Sequence, residues 1–381
     1  MLAAGTAAQA SFSAILIGVP VLAPALRERY DLSLSEVGIA FSSIWAGPIL
    51  TLLPWGLLAD RLGERVVLAS GLAISGCLVA AAGWASSFWL LVALLALAGG
   101  MGASVNAASG RAVMQWFSAE QRGLALGLRQ TAIPIGGALA ALALPAVDGA
   151  GGLKASFVFL GAVCLASAAV AAVAIKENVR TDDPELDADD VTWTLGDSRL
   201  WIVCTGSGLY LFTQLALTAF LVLFLHDAHG LSLGEAAACL AAVQVGAVIT
   251  RVGSGWISDA IKARIRPLRW IGLASAAGAL LTAVFADGPI VVLLPVVVLA
   301  GAISMAWNGL SVTAAAELAG RARSGAAIGF QQTMLAVIGL FVPAAFAYIV
   351  DVSSWQLGFA LASIGPLLGW YLLGRMAEIR S

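Results

Sequence analysis

Charge is scarce in this chain. Only 11% of its 381 residues are Asp, Glu, Lys or Arg, where a soluble domain carries roughly a quarter. That excludes an ordinary soluble enzyme, and a net charge of −2 offers no footprint for nucleic acid. Histidine occurs twice. The four cysteines, Cys77, Cys164, Cys204 and Cys239, lie in apolar segments without CxxC spacing. They read as small buried apolar side chains, not as disulfides or metal ligands, and no metal or other cofactor is expected. The first apolar stretch lacks a basic lead-in and a clear cleavage site, so it reads as a spanning helix, not a removable signal.

What the chain has in abundance is long apolar sequence: 60% hydrophobic residues and a mean hydropathy of +0.95. About 20 apolar residues cross a bilayer as a helix. Twelve stretches qualify, near 3–26, 34–59, 66–84, 87–116, 119–147, 153–175, 199–225, 231–259, 270–286, 289–318, 321–350 and 355–375. The expected fold class is an all-α membrane protein of twelve transmembrane helices in two pseudo-symmetric six-helix bundles, 1–175 and 198–381. Between them, 176–197 holds eight acids (Glu177, Asp182, Asp183, Glu185, Asp187, Asp189, Asp190, Asp197) and Pro184, and reads as a solvated linker. These acids lack the Asp-x-Asp-x-Asp-Gly spacing of a calcium loop. Placing the N-terminus inside puts fourteen Lys and Arg residues on the cytoplasmic side and three, Arg27, Arg29 and Lys154, outside. Both termini and the linker are therefore expected in the cytoplasm of a cell carrying this multi-pass protein in its cytoplasmic membrane.

The halves repeat. At an offset of 202 the pairs Asn106/Asn308, Ser109/Ser311, Gly127/Gly329, Gln130/Gln332, Thr131/Thr333 and Gly137/Gly339 match. At an offset of 199, Gly47/Gly246, Thr51/Thr250, Gly56/Gly255, Asp60/Asp259 and Arg65/Arg264 match. A parallel duplication of six helices suits a site near the midplane, where the halves meet, and alternating access by rocking.

Between the second and third stretches runs Gly56-Leu-Leu-Ala-Asp60-Arg61-Leu-Gly63-Glu64-Arg65. It resembles the signature loop of the major facilitator superfamily, Gly-x-x-x-Asp-Arg-x-Gly-Arg-Arg/Lys, with Glu64 departing from the first paired basic residue. Gly255-x-x-x-Asp259 is the worn second copy. The resemblance covers essentially the whole chain. It implies a transporter whose cavity lies between two six-helix bundles, lined by helices 1, 4, 7 and 10, and a gating role for the loop charges Asp60 and Arg61. Arg65, Arg111 and Asp259 are grouped with them at the cytoplasmic gate. Arg251-Val-Gly-Ser-Gly255 also resembles the helix 8 stretch of monocarboxylate and oxalate-type organic anion transporters. Those carry an acid one turn earlier, where this chain has Ala247.

Two charges stand deep in apolar helices, and each belongs to one half only: Arg129, matched by Gln331, and Arg251, matched by Leu52. At 1.5 Å per residue, Arg129 sits about 15 Å deep and Arg251 about 12 Å. Intramembrane charges mark function more often than structure, yet an arginine can also hold helices through carbonyls or snorkel to the interface. No acid stands at mid-depth to pair with either. The expected substrate ligands are Arg129 and Arg251, with Gln9, Asn106, Tyr210, Gln214, Asn308 and Gln331 orienting the rest. Such amides equally glue helices together.

The expected function is secondary active transport of a small anion, with a carboxylate as the leading candidate and a proton or cation as its companion. The expected partners are that anion and the lipid bilayer, and the protein is expected to be a monomer. One alternative is a proton-coupled drug exporter. Its helix 5 pattern, Gly-Pro-x-x-Gly-Gly, is only partly met by Ile133-Pro134-Ile135-Gly136-Gly137, and its cavity acid is missing. Another is a non-transporting ligand sensor on the same fold, which the short tail after Met376 disfavours.

Overall fold

The structure, a computed structural model, describes residues 2–106, 119–175 and 196–379, without the side chains of 2, 60, 119–129, 321 and 322. Eleven helices among the described residues are long and apolar enough to cross a membrane. One of them, Gln130–Ala174, breaks at Gly152 (φ 67°), a left-handed conformation that favours glycine. It therefore makes two crossings, which brings the described residues to twelve. We number the spans in chain order: 1, Ala3–Val21; 2, Leu34–Ala59; 3, Glu64–Ala82; 4, Phe88–Asn106; 5 and 6, the two arms of Gln130–Ala174; 7, Ser198–Ala219; 8, Leu233–Ala260; 9, Ile265–Phe285; 10, Ile290–Gly320; 11, Arg323–Val352; 12, Trp355–Leu373. Gly320 (φ 74°) divides span 10 from span 11 as Gly152 divides 5 from 6.

Three segments are more broken than the apolar runs suggest. Span 1 stops at Val21, and a separate helix, Ala23–Tyr30, follows with Pro24 in its first turn. Span 7 is a chain of pieces, Ser198–Gly208, Leu211–Ala219 and Leu221–His229. Span 9 starts at Ile265, five residues before the expected 270. The tail provides the reason. The Glu378 carboxylate accepts from the backbone N–H groups of Arg264 (2.7 Å), Ile265 (2.6 Å) and Arg266 (3.1 Å). Those are donors that a helix start leaves unsatisfied.

The duplication extends into the bonding. Span 2 opens with a capping box between Ser33 and Glu36, and span 8 opens with the same box between Ser232 and Glu235. Thr51 donates to Gly100 O at 2.7 Å, and its mate Thr250 donates to Ala302 O at 2.7 Å. These bonds tie span 2 to span 4 and span 8 to span 10 just before each fourth helix bends. At the first crossing the backbones nearly touch: a Cβ on Gly99 would lie 2.0 Å from Ile44 O, and one on Gly47 2.1 Å from Ala96 O. Such small-residue crossings let membrane helices pack without a hydrophobic driving force.

Spans 1–6 meet spans 7–12 along two seams. Span 2 runs against span 11, where Gly38 faces Pro343 and Ala347, and Gly339 lies under the Trp45 ring. Span 5 runs against span 8, where Gly137 lies under Gln244. We call the end carrying residues 174 and 198 the linker end, and the other the far end. At the far end Arg27 pairs with Asp227, Ser35 Oγ donates to Asp351 at 2.6 Å, Ser42 Oγ accepts from Ala344 N–H at 3.1 Å, and the Phe41 and Phe220 rings stand 5.2 Å apart. Each contact joins the two halves.

Gly99→Ala should lower the thermal midpoint of the purified protein by the equivalent of about 1–3 kcal/mol, the usual cost of overpacking. Gly253→Ala, whose Cβ would meet nothing within 4 Å, should leave it unchanged.

Candidate functional site

Span 5 contains Pro134. Proline has no N–H, so the Gln130 carbonyl one turn earlier loses its helical partner. Span 10 bends at Met305–Ala306, between the helices Ile290–Ser304 and Trp307–Val352, which frees the Met305 and Ala306 carbonyls. Span 8 faces both breaks. Its Arg251 guanidinium, buried at 7% exposure, donates through Nη1 to Gln130 O (2.6 Å), through Nε to Met305 O (2.9 Å) and through Nη2 to Asn308 Oδ1 (2.8 Å). One turn on, Ser254 Oγ donates to Ala306 O at 2.9 Å. All three Arg251 acceptors are neutral oxygens. No ion pair to Arg251 occurs among the described residues, where the partners of this positive charge at the seam are three neutral dipoles.

Gln244 lies on the same span seven residues earlier, hence on the same face and about 10 Å along the axis. It is fully buried, and neither amide atom has a hydrogen-bond partner among the described residues. Leaving a buried polar group unbonded costs about 1–3 kcal/mol.

The other seam is the apolar counterpart. A small cleft there is lined by Phe12, Leu16, Ile44, Trp45, Pro48, Leu52, Asn106, Gln332 and Ala336. The repeat relates five of these residues to the Arg251 site. Trp45 and Leu52 correspond to Gln244 and Arg251 (45 + 199 and 52 + 199), and Asn106 corresponds to Asn308 (106 + 202). Gln332 and Ala336 correspond to Gln130 and Pro134 (332 − 202 and 336 − 202). One seam thus keeps an apolar cleft where the other holds a cation and an amide.

Of the residues expected at the site, Arg251 and Asn308 are brought into contact, and Asn106 reaches the cleft. Arg129 stands one residue before Gln130 on the same helix, and its side chain lies outside the described residues. Gln9 is buried on span 1. Three others are placed inside spans 7–12. Tyr210 donates to Leu268 O at 2.9 Å, Gln214 accepts from Trp307 Nε1 at 3.0 Å, and Gln331 donates to Ser311 Oγ. Each of these residues has a partner within its own bundle, although Gln331 Oε1 is buried without one among the described residues.

Of the gate residues, Arg61 and Arg65 are exposed at the linker end; Arg111 and the Asp60 side chain lie outside the described residues. Asp259 does not reach Arg251. It pairs at 2.5 Å with Arg264, which also bonds Glu317 at 2.9 Å. Burial works against the Arg264 charge, but the hydrogen bonds and fields of Glu317 and Asp259 outweigh it and raise its pKa. Neither the freed Gln130 carbonyl nor Gln244 is among the ligands expected from the sequence. Their signals in the sequence are a proline four residues after Gln130 and the seven-residue spacing from Gln244 to Arg251.

A family model described as Major Facilitator Superfamily matches residues 2–343. The chain belongs to the major facilitator superfamily. An uncharacterized MFS-type transporter of Mycobacterium tuberculosis is 32% identical over 352 residues, 92% of this chain and 79% of that protein. A probable sulfoacetate transporter of Cupriavidus necator is 27% identical over 95% of this chain and 89% of its own. Among solved structures, a bacterial homologue of the human lysosomal transporter Spinster, captured inward-facing and occupied, superposes with a TM-score of 0.78 at 16% identity. The match covers 98% of this chain and 95% of that one. The fold is therefore that of a major facilitator transporter, a multi-pass membrane protein.

The far-end pair should behave as a cross-half contact of a partly exposed kind. Arg27→Asp or Asp227→Arg alone should lower the thermal midpoint modestly, by the equivalent of about 1 kcal/mol or less. The double charge swap should regain most of the loss.

Proposed function

We propose that this major facilitator transporter carries a small anion, a carboxylate by preference, by alternating access between its two halves. The observation that carries the reading is Arg251: a buried guanidinium at the seam whose acceptors are all neutral. A buried cation with no counter-ion among the described residues favours binding an anion, because the incoming charge supplies what dipoles supply only in part. Arg129, the second one-sided charge, is assigned to the same substrate. Asn308 holds Arg251 in place, and Asn106 contributes from the opposite wall. The probable sulfoacetate transporter among the relatives supports the reading, since sulfoacetate carries a carboxylate and a sulfonate.

The orientation follows from the basic residues: linker and termini in the cytoplasm, far end outside. Spans 1–6 and 7–12 act as the two rocking bodies about the acidic linker. The far-end contacts of Arg27, Ser35 and Ser42 then belong to a state closed to the outside, and they separate when the transporter turns outward.

Uptake of labelled short-chain carboxylates and sulfoacetate into proteoliposomes tests this. Wild-type protein should take up an anion of this class. Arg251→Lys and Arg129→Ala should lose about 100-fold or more of the rate, as expected for truncating a buried hydrogen-bonded charge contact. Wild-type anion uptake in both variants would overturn the assignment.

A further inference from the structure

The third Arg251 bond differs from the other two. Met305 and Asn308 belong to spans 7–12, like Arg251 itself, but Gln130 belongs to span 5 in the opposite half. Its carbonyl is available only because residue 134 is proline. The 2.6 Å bond from Arg251 Nη1 to Gln130 O is therefore a tie between the two bodies, made by the same guanidinium assigned to the substrate.

We propose that Pro134 is a positioning residue. By withholding its N–H it presents the Gln130 carbonyl to Arg251, forming a latch across the span 5–span 8 seam that an arriving carboxylate releases. The inference rests on the reading of Arg251 as the anion's ligand and adds how binding is coupled to movement. An anionic oxygen is a stronger acceptor for a guanidinium than a neutral carbonyl. Once it takes Nη1, the cross-half bond is lost, while the bonds to Met305 and Asn308 keep the arginine aimed. The differential interaction that any ligand-driven change requires is then explicit. The seam is already primed to part. Gln244, buried without a bonding partner over Gly137, gains hydrogen bonds when water enters. At the opposite seam Leu52 and Trp45 stand at the places of Arg251 and Gln244, and its cross-half bonds, Ser35 to Asp351 and Ala344 N–H to Ser42, involve no guanidinium.

Spin labels at Gly149→Cys and Gly234→Cys report the far end of this seam. Both positions are exposed, and a Cβ at either meets nothing within 4 Å. The exposed Cys77 is replaced by Ser, and the other three cysteines are buried. In unliganded wild-type protein the short distance should dominate, and sulfoacetate should enlarge the long-distance population. Pro134→Ala restores the N–H and turns the Gln130 carbonyl back into its helix. It should raise the open-to-closed ratio without ligand about tenfold, the scale of one hydrogen bond to a charged group. Arg251→Gln should do the same, and the double variant should add nothing further, because both act on one bond. A merely structural proline would give additive effects. Pro134→Gly, which also restores the N–H, serves if the alanine variant does not fold. Unchanged distances in the Pro134 variants, or additivity with Arg251→Gln, would overturn the latch. If the variants open the seam without additivity, yet neither sulfoacetate nor any short-chain carboxylate moves the wild-type distances, the latch stands. Its release by an anion then falls together with the substrate reading.

Discussion

A guanidinium buried in a membrane protein has to be satisfied, and the way Arg251 is satisfied organises much of what surrounds it. Three oxygens do so, and helix breaks expose two of them. A straight span 5 would keep the Gln130 carbonyl for itself, and an unbent span 10 would keep that of Met305. The proline in one half and the bend in the other are therefore conditions for placing a charge at this depth without an acid beside it.

The duplicated architecture shows what was added to a common frame. Both halves use a Ser–Glu capping box to start their second helix and a threonine to bind the fourth helix ahead of its bend. Upon that frame the two seams diverge. Where span 2 presents Trp45 and Leu52, span 8 presents Gln244 and Arg251. Parting the Trp45 and Leu52 positions exposes apolar surface, whereas parting the Gln244 and Arg251 positions exchanges internal bonds for water or ligand. Proline recurs in both, with different results: Pro134 frees a carbonyl for Arg251, and beside Pro343 the Ala344 N–H is given to Ser42.

Much of this was legible in the sequence, for physical reasons. Helices in lipid must be long and apolar, so the count of twelve followed from hydropathy, and the superfamily from the loop at Gly56–Arg65. Arg251 and Arg129 stood out because charge at that depth is costly. Side-chain direction was less legible. Tyr210, Gln214 and Gln331 are polar residues expected at the substrate, yet hydrogen-bond partners at Leu268, Trp307 and Ser311 hold them inside one bundle. Nothing in their own segments announces those partners, which come from helices 20 to 93 positions away. Helix ends were blurred for a similar reason, since Glu378, more than 110 residues on, supports the start of span 9.

The most direct measurement is an experimental structure of the protein with a carboxylate bound. The account predicts a carboxylate oxygen about 3 Å from Arg251 Nη1 or Nη2, the bond to Gln130 O broken, and those to Met305 and Asn308 kept. A bound anion elsewhere, with Arg251 still holding all three neutral oxygens, would contradict it.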